Sequence, residues 1–264
     1  MQIYTAFDII ILDIKYKMMV EVAAMNIKIL VATHKEYPMP EDSMYLPIHV
    51  GKDLASFSLP WTGDNTGEHI SSKNPNYCEL TALYWAWKNL DADAIGLAHY
   101  RRHFAMHKPA LLCKNKFPYV LKSTDVESLL KTTSVLLPKP RNYFIETNYS
   151  QFVHAHPAES LELTQKIIET KYPEYMTYFE PVMNRTTAHR FNMLIMKKDI
   201  FDCYCSWLFD ILFELEHQLD ISSYDAYNQR IFGFISERLL DVFIEANHIN
   251  YKELPVILWN RNIG

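Results

Sequence analysis

The chain of 264 residues is 49% apolar, enough to bury one large core or two small ones. Six glycines and no low-complexity tract leave no flexible linker, so one domain over residues 25–264, behind a short leader, is the expectation. The net charge of −5 argues against a nucleic acid held by diffuse electrostatics, whereas a local basic patch would still suit phosphate.

Residues 1–24 contain the apolar run Ile9–Leu12, bracketed by Asp8 and Asp13. It is too short for a membrane span and lacks the basic start of a signal peptide. Met25 directly precedes the first strand pattern, so a start at Met25 is expected, with a short anchor as the alternative. Asn26 to Lys35 reads as a buried strand with the polar exit Thr33, His34 and Lys35, where parallel α/β sheets place nucleotides. Tyr45 to Val50 reads as a second strand, ended by Gly51. No dinucleotide or Walker glycine motif occurs anywhere. Trp61 to Asn76 is nearly free of aliphatic residues. Its Asp64, Asn65, Lys73 and Asn74 are side chains that read ribose, amides and phosphate, which suits a binding loop.

From Tyr77 to Lys88, Leu80, Leu83, Tyr84 and Trp87 recur at helical spacing. After Asp91-Ala-Asp93, read as a turn, the apolar run from Ala94 predicts a central strand that delivers His99, Tyr100, Arg101, Arg102 and His103 to a cleft. Guanidinium groups suit bidentate phosphate recognition and imidazoles suit acid, base or ligand work. Cys78 lies in the apolar helix, and neither it nor Cys113, Cys203 or Cys205 forms a metal spacing, so reduced packing residues of a cytoplasmic protein are expected.

Further on, the pattern predicts a helix over Asp125 to Lys131 and a strand over Ser134 to Leu137. His154-Ala-His156 would put two imidazoles on one strand face, as a metal pair or as hydrogen-bonding groups for substrate or core. A helix follows over Ala158 to Tyr172, a strand over His189 to Met196, and a long helix over Ile200 to Leu219. Ile221 to Leu240 reads as a helix pair or a helix bent at Gly233, with Glu237 and Arg238 in apolar company. Asn250 to Trp259 reads as one more extended segment.

The strings Lys28–Lys35, Leu46–Gly51, Gly63–Gly67, Ile70–Asn74, Cys78–Lys88, Gly96–Arg102, Arg190–Met196 and Arg230–Leu239 resemble a bacterial family. That family was first catalogued as a domain of unknown function in capsule, exopolysaccharide and O-antigen gene clusters. Its members are regarded as galactofuranosyltransferases. The resemblance implies a Rossmann-like glycosyltransferase type A fold, with a mostly parallel central sheet flanked by helices. It also implies UDP-galactofuranose as donor, inversion, and a growing lipid-linked glycan as acceptor. The expected setting is the inner face of the plasma membrane, with peripheral membrane contact and other polysaccharide-assembly enzymes as neighbours. Type A enzymes commonly hold a divalent ion with Asp-x-Asp at the end of a central strand, where this sequence has His99-Tyr100-Arg101.

An inverting transfer needs a base for the acceptor hydroxyl and positive charge for the departing diphosphate. Glu237 and Asp225 are the candidate bases, Glu237 preferred because apolar neighbours would raise its pKa. Thr33, His34, Lys35, Asp64, Asn65, Lys73, Asn74, His99, Tyr100, Arg101 and Arg102 form the expected donor side. His154, His156 and Asn192 form the expected acceptor side. With two guanidiniums at the diphosphate no metal is required, although Mg²⁺ or Mn²⁺ would be compatible. Two other readings stand beside this one: a nucleotide-sugar-binding protein without turnover, and a metal-dependent hydrolase using His154 and His156.

Overall fold

The computed structural model describes residues 24–110, 113 and 115–259, so the leader reading lies outside the described residues. The fold starts at β1 (Ile27–Thr33), whose side chains are buried on both faces, as a central strand of a sheet covered on both sides requires. It pairs in parallel with β2 (Tyr45–His49) on one side and β4 (Ala94–His99) on the other. Beyond β2 lies the short parallel β3 (Thr62–Gly63). On the other flank β9 (Leu194–Lys197) runs antiparallel between β4 and β6 (Val135–Pro138), and β10 (Tyr251–Leu254) closes the edge parallel to β6. The strand order is β10-β6-β9-β4-β1-β2-β3. At the carboxyl end of β4 the chain folds back as β5 (Arg102–Phe104), which pairs with β11 (Val256–Leu258). Gly96 lets β9 approach β4, since a Cβ there would lie 2.9 Å from the Leu194 carbonyl oxygen.

The period of two along the strands sorts side chains into two cores. Leu30, Ile95, Leu97, Val135 and Met196 face the larger core, and Ile29, Val31, Ala94, Ala98 and Leu136 face the smaller one. The larger core is built by α2 (Leu80–Asn89), α5 (Ala158–Lys171), α6 (Met176–Asn184), α7 (Lys198–Gln218) and α8 (Ile231–Ala246). On the other face α3 (Ser123–Leu130) contributes Val126, Leu129 and Leu130. No helix among the described residues is long and apolar enough to cross a membrane.

Five segments differ from their sequence patterns. The helix expected from Tyr77 is split into a single turn, α1 (Asn74–Tyr77), and α2, because Cys78 takes φ 54 between them. His154-Ala-His156 is no strand. Thr147 caps α4 (Asn148–Ala155), its Oγ1 accepting from the Ser150 N–H, and that cap turns the segment helical up to His156. The strand expected over His189 to Met196 is reduced to β9, because Phe191 and Asn192 have φ 75 and 53 and break the extended run. Gly233 bends nothing: a 3-10 turn, Asn228–Arg230, leads straight into α8, and Gly233 sits within it. The last segment forms two strands, β10 and β11, rather than one.

Candidate active site

The carboxyl ends of β1 and β4 open into a cleft of about 640 Å³, lined by residues from several places in the chain. β1 brings His34. The α1–α2 break brings Asn74, Cys78 and Glu79. The end of β4 brings His99, Tyr100, Arg101 and Arg102, while Phe191, Tyr227, Arg230, Phe234 and Glu237 come from the later half. Parallel strands end here, and the sheet delivers polar groups where α/β folds place ligands.

One wall is cationic and aromatic. Tyr100 is buried, with Arg101 lying 5.1 Å and Lys35 5.5 Å from its ring centre. His34 and Tyr37 meet the same ring edge-on. Burial, then Lys35, Arg101 and Arg230, lower the His34 pKa. The Arg102 guanidinium lies 4.4 Å from the Phe191 ring centre. Arg230 donates from Nε to Cys78 Sγ at 3.1 Å.

The acidic component is Glu237, whose side chain is 20% exposed. Its Oε1 accepts from the Phe191 N–H at 3.1 Å, and Oε2 lies 3.8 Å from Arg190 Nη1 and 3.6 Å from Arg238 Nη1. Burial raises its pKa and outweighs Arg190, with Glu79 adding to the rise, so that the carboxyl is pushed up to about 7. Glu79 accepts from Asn192 Nδ2 at 2.7 Å, and the same amide donates to the Gly233 carbonyl at 3.1 Å. His99 is half-buried at the cleft, its pKa lowered first by burial, and its Nε2 donates to the Phe191 carbonyl at 2.6 Å. The Phe191 peptide is therefore gripped from both sides, by His99 and by Glu237. Phe191, Asn192 and Cys78 all have positive φ, a strained backbone of the kind that clusters at functional sites.

The structure brings together His34, Asn74, His99, Tyr100, Arg101, Arg102 and Glu237 of the expected site. Others fall elsewhere. Thr33 closes the exit of β1 by donating to the Lys35 carbonyl at 2.6 Å. Asp64 is buried and accepts from the Gly51 and Lys52 N–H groups and from the Ser71 hydroxyl, a structural clamp rather than a ligand of the cleft. Gly51 itself has φ 67 and leaves room for Asn74. Asn65 binds Asp53, and Lys73 pairs with Glu216 at 2.6 Å. Asp225 is exposed and accepts from the Asn228 N–H at 2.7 Å, closing a turn. His103 turns away into the smaller core between Tyr45 and Trp259, where burial holds its pKa down to about 3.

His154 and His156 do not converge. His154 is exposed and bonded to Glu146, while His156 stacks on Phe234 and Tyr227 behind the cleft and bonds to Asn228. Among the described residues no three His, Cys, Asp or Glu side chains are grouped to hold a metal ion. Asp91 and Asp93 serve the opposite end of the sheet, where the Asn26 N–H donates to Asp93 Oδ2 at 2.7 Å and Asn26 Nδ2 donates to the Asp91 carbonyl. Sequence patterns do not single out Arg230 or Glu79 as cleft residues. Arg230 arrives from a distant element, and the one hint at Glu79 is a carboxylate at the head of an apolar helix.

The family model described as "Domain of unknown function (DUF4422)" matches residues 28–248. No curated protein matches the chain. Among solved structures, the chain is similar to the apo structure of WbbM, a bifunctional glycosyltransferase, with a TM-score of 0.81 and 30% identity over 89% of this chain. The match covers 46% of that protein, so the chain spans about half its length.

Proposed function

We propose that this chain, which belongs to the DUF4422 family, is a glycosyltransferase that moves a sugar from a UDP-sugar to a growing lipid-linked glycan, with inversion. UDP-galactofuranose is the proposed donor, on the resemblance of the sequence strings. The observation that carries the reading is one cleft that joins guanidiniums to a carboxylate with a pKa near 7, in a fold similar to that of a bifunctional glycosyltransferase.

The chemistry follows from those groups. Glu237, ionised above its pKa, takes the proton from an acceptor hydroxyl as that oxygen attacks the anomeric carbon. The bond from that carbon to the diphosphate oxygen breaks on the opposite face, and the electron pair leaves with UDP. Arg101 and Arg102 stabilise the charge that develops there, aided by Arg230. The proposed workplace is the cytoplasmic face of the plasma membrane, where a lipid-linked acceptor is presented. Incubation with a panel of UDP-sugars, following UDP release with and without lipid-linked acceptor, tests donor and reaction together. Acceptor-dependent release is expected from UDP-galactofuranose. Donor binding without release under any condition would favour a binding protein and overturn the proposal.

A further inference from the structure

Between β7 (Arg141–Asn142), which pairs antiparallel with β8 (Thr187–Ala188), and α4 the chain turns at an apolar tip. Phe144 and Ile145 are 82% and 93% exposed. Phe144 has φ 61, its N–H donates to Asn142 Oδ1 at 2.7 Å, and the Ile145 N–H donates to the Tyr143 carbonyl at 2.7 Å. Two tight turns therefore hold the pair out in water, a placement unfavourable for both backbone and side chains. Exposed Lys139 and Arg141 precede the tip, and the carboxylate that follows, Glu146, is taken up by His154.

The tip adjoins the cleft. The Tyr143 ring lies between the guanidiniums of Arg141, at 5.1 Å, and Arg190, at 4.8 Å. Arg190 in turn lies beside Glu237. We infer that Phe144 and Ile145 insert at the headgroup and acyl boundary of an anionic bilayer, with Lys139 and Arg141 at the phosphates. This would set the Glu237 side of the cleft against the membrane surface. Two apolar side chains fall far short of the roughly 1,000 Å² that a specific protein interface buries. Apolar residues flanked by cations are, however, the combination that an anionic lipid surface retains. The inference rests on the proposed lipid-linked acceptor, whose sugar would be presented at that surface.

The full chain is sedimented with phosphatidylcholine vesicles containing about one third phosphatidylglycerol, and with phosphatidylcholine alone. Binding to the anionic vesicles is expected. Combined Phe144→Ser and Ile145→Ser should lower it by about tenfold or more, and combined Lys139→Glu and Arg141→Glu should lower it on anionic vesicles only. No sedimentation of the unsubstituted chain, or equal binding by the apolar double variant, would overturn the inference. So would a change from dimer to monomer in that variant at unchanged vesicle binding, which would make the tip a contact between protein chains. UDP release from the UDP-sugar, measured with lipid-linked acceptor in detergent and no vesicles, should be the same in all variants. Its absence from the unsubstituted chain would sink the glycosyltransferase reading and leave the vesicle result standing.

Discussion

At Glu237 burial and guanidinium charge act in opposite directions on one carboxyl, and burial prevails, with the pKa near 7. The sign for activity follows. Below that pH the group is protonated and cannot accept a proton, so kcat/KM should fall roughly tenfold per unit as pH drops below about 7 and level off above it. Glu237→Gln keeps an oxygen for the Phe191 N–H but cannot act as base. It should lose about 10²–10⁴-fold in rate and flatten the acid limb, which initial rates across the pH range would show. Arg101→Ala and Arg102→Ala should each weaken donor use by about 1.5–3 kcal/mol, with Lys a partial rescue. Thermal unfolding separates the two: Arg102 lies 4.4 Å from the Phe191 ring centre and Arg101 5.1 Å from that of Tyr100, so Arg102→Ala should lose more Tm than Arg101→Ala. Donor kinetics in both alanine variants equal to those of the unsubstituted chain would remove the diphosphate role. These arginines were legible because they follow an apolar run directly. Arg230 was not, because its place beside Cys78 depends on how α8 packs against α1, which no local pattern encodes.

Among the elements, β1, β4 and the long helix α7 follow from apolar runs and helical spacing, since their burial is what the pattern records. The Phe191–Asn192 turn is different. A bulky residue at φ 75 has no local signature, and the alternation around it imitates a strand. What holds the turn is tertiary: the Asn192 amide ties the start of α2, through Glu79, to Gly233 in α8. Asn192→Gly keeps the backbone conformation and loses both bonds, and should cost about 1.5–3 kcal/mol of stability. Asn192→Ala should cost about 1 kcal/mol more, because a Cβ other than that of Asn or Asp is penalised at positive φ. Urea unfolding of the two variants measures the bonds and the strain separately. If both variants unfold at the midpoint of the unsubstituted chain, the turn is not held in this way. His154-Ala-His156 failed for a related reason: the alternation matched a strand, but the Thr147 cap had already committed the segment to α4.

For the molecule as a whole, charge is placed rather than plentiful. The chain is acidic overall, yet Arg101, Arg102 and Arg230 meet at the carboxyl ends of β1 and β4, while the acidic pair Asp91 and Asp93 stands at the amino ends, tied to Asn26. A divalent ion in the cleft would have to compete for carboxylates that are already engaged. Glu79 accepts from Asn192, and Glu237 accepts from Phe191 beside two guanidiniums. Adding a dication next to those arginines would place like charges together, whereas the arginines alone can neutralise a diphosphate. Transfer should therefore retain most of its rate in excess EDTA, and Mg²⁺ or Mn²⁺ added back should change it less than about twofold, against the several kcal/mol that a catalytic metal supplies. Charge-reversing Arg101→Glu should abolish donor use, and added metal should not restore it. Complete loss of transfer on chelation with full recovery on Mn²⁺ would instead mean that the cleft engages an ion once the donor's phosphates are bound, and that the guanidiniums supplement it.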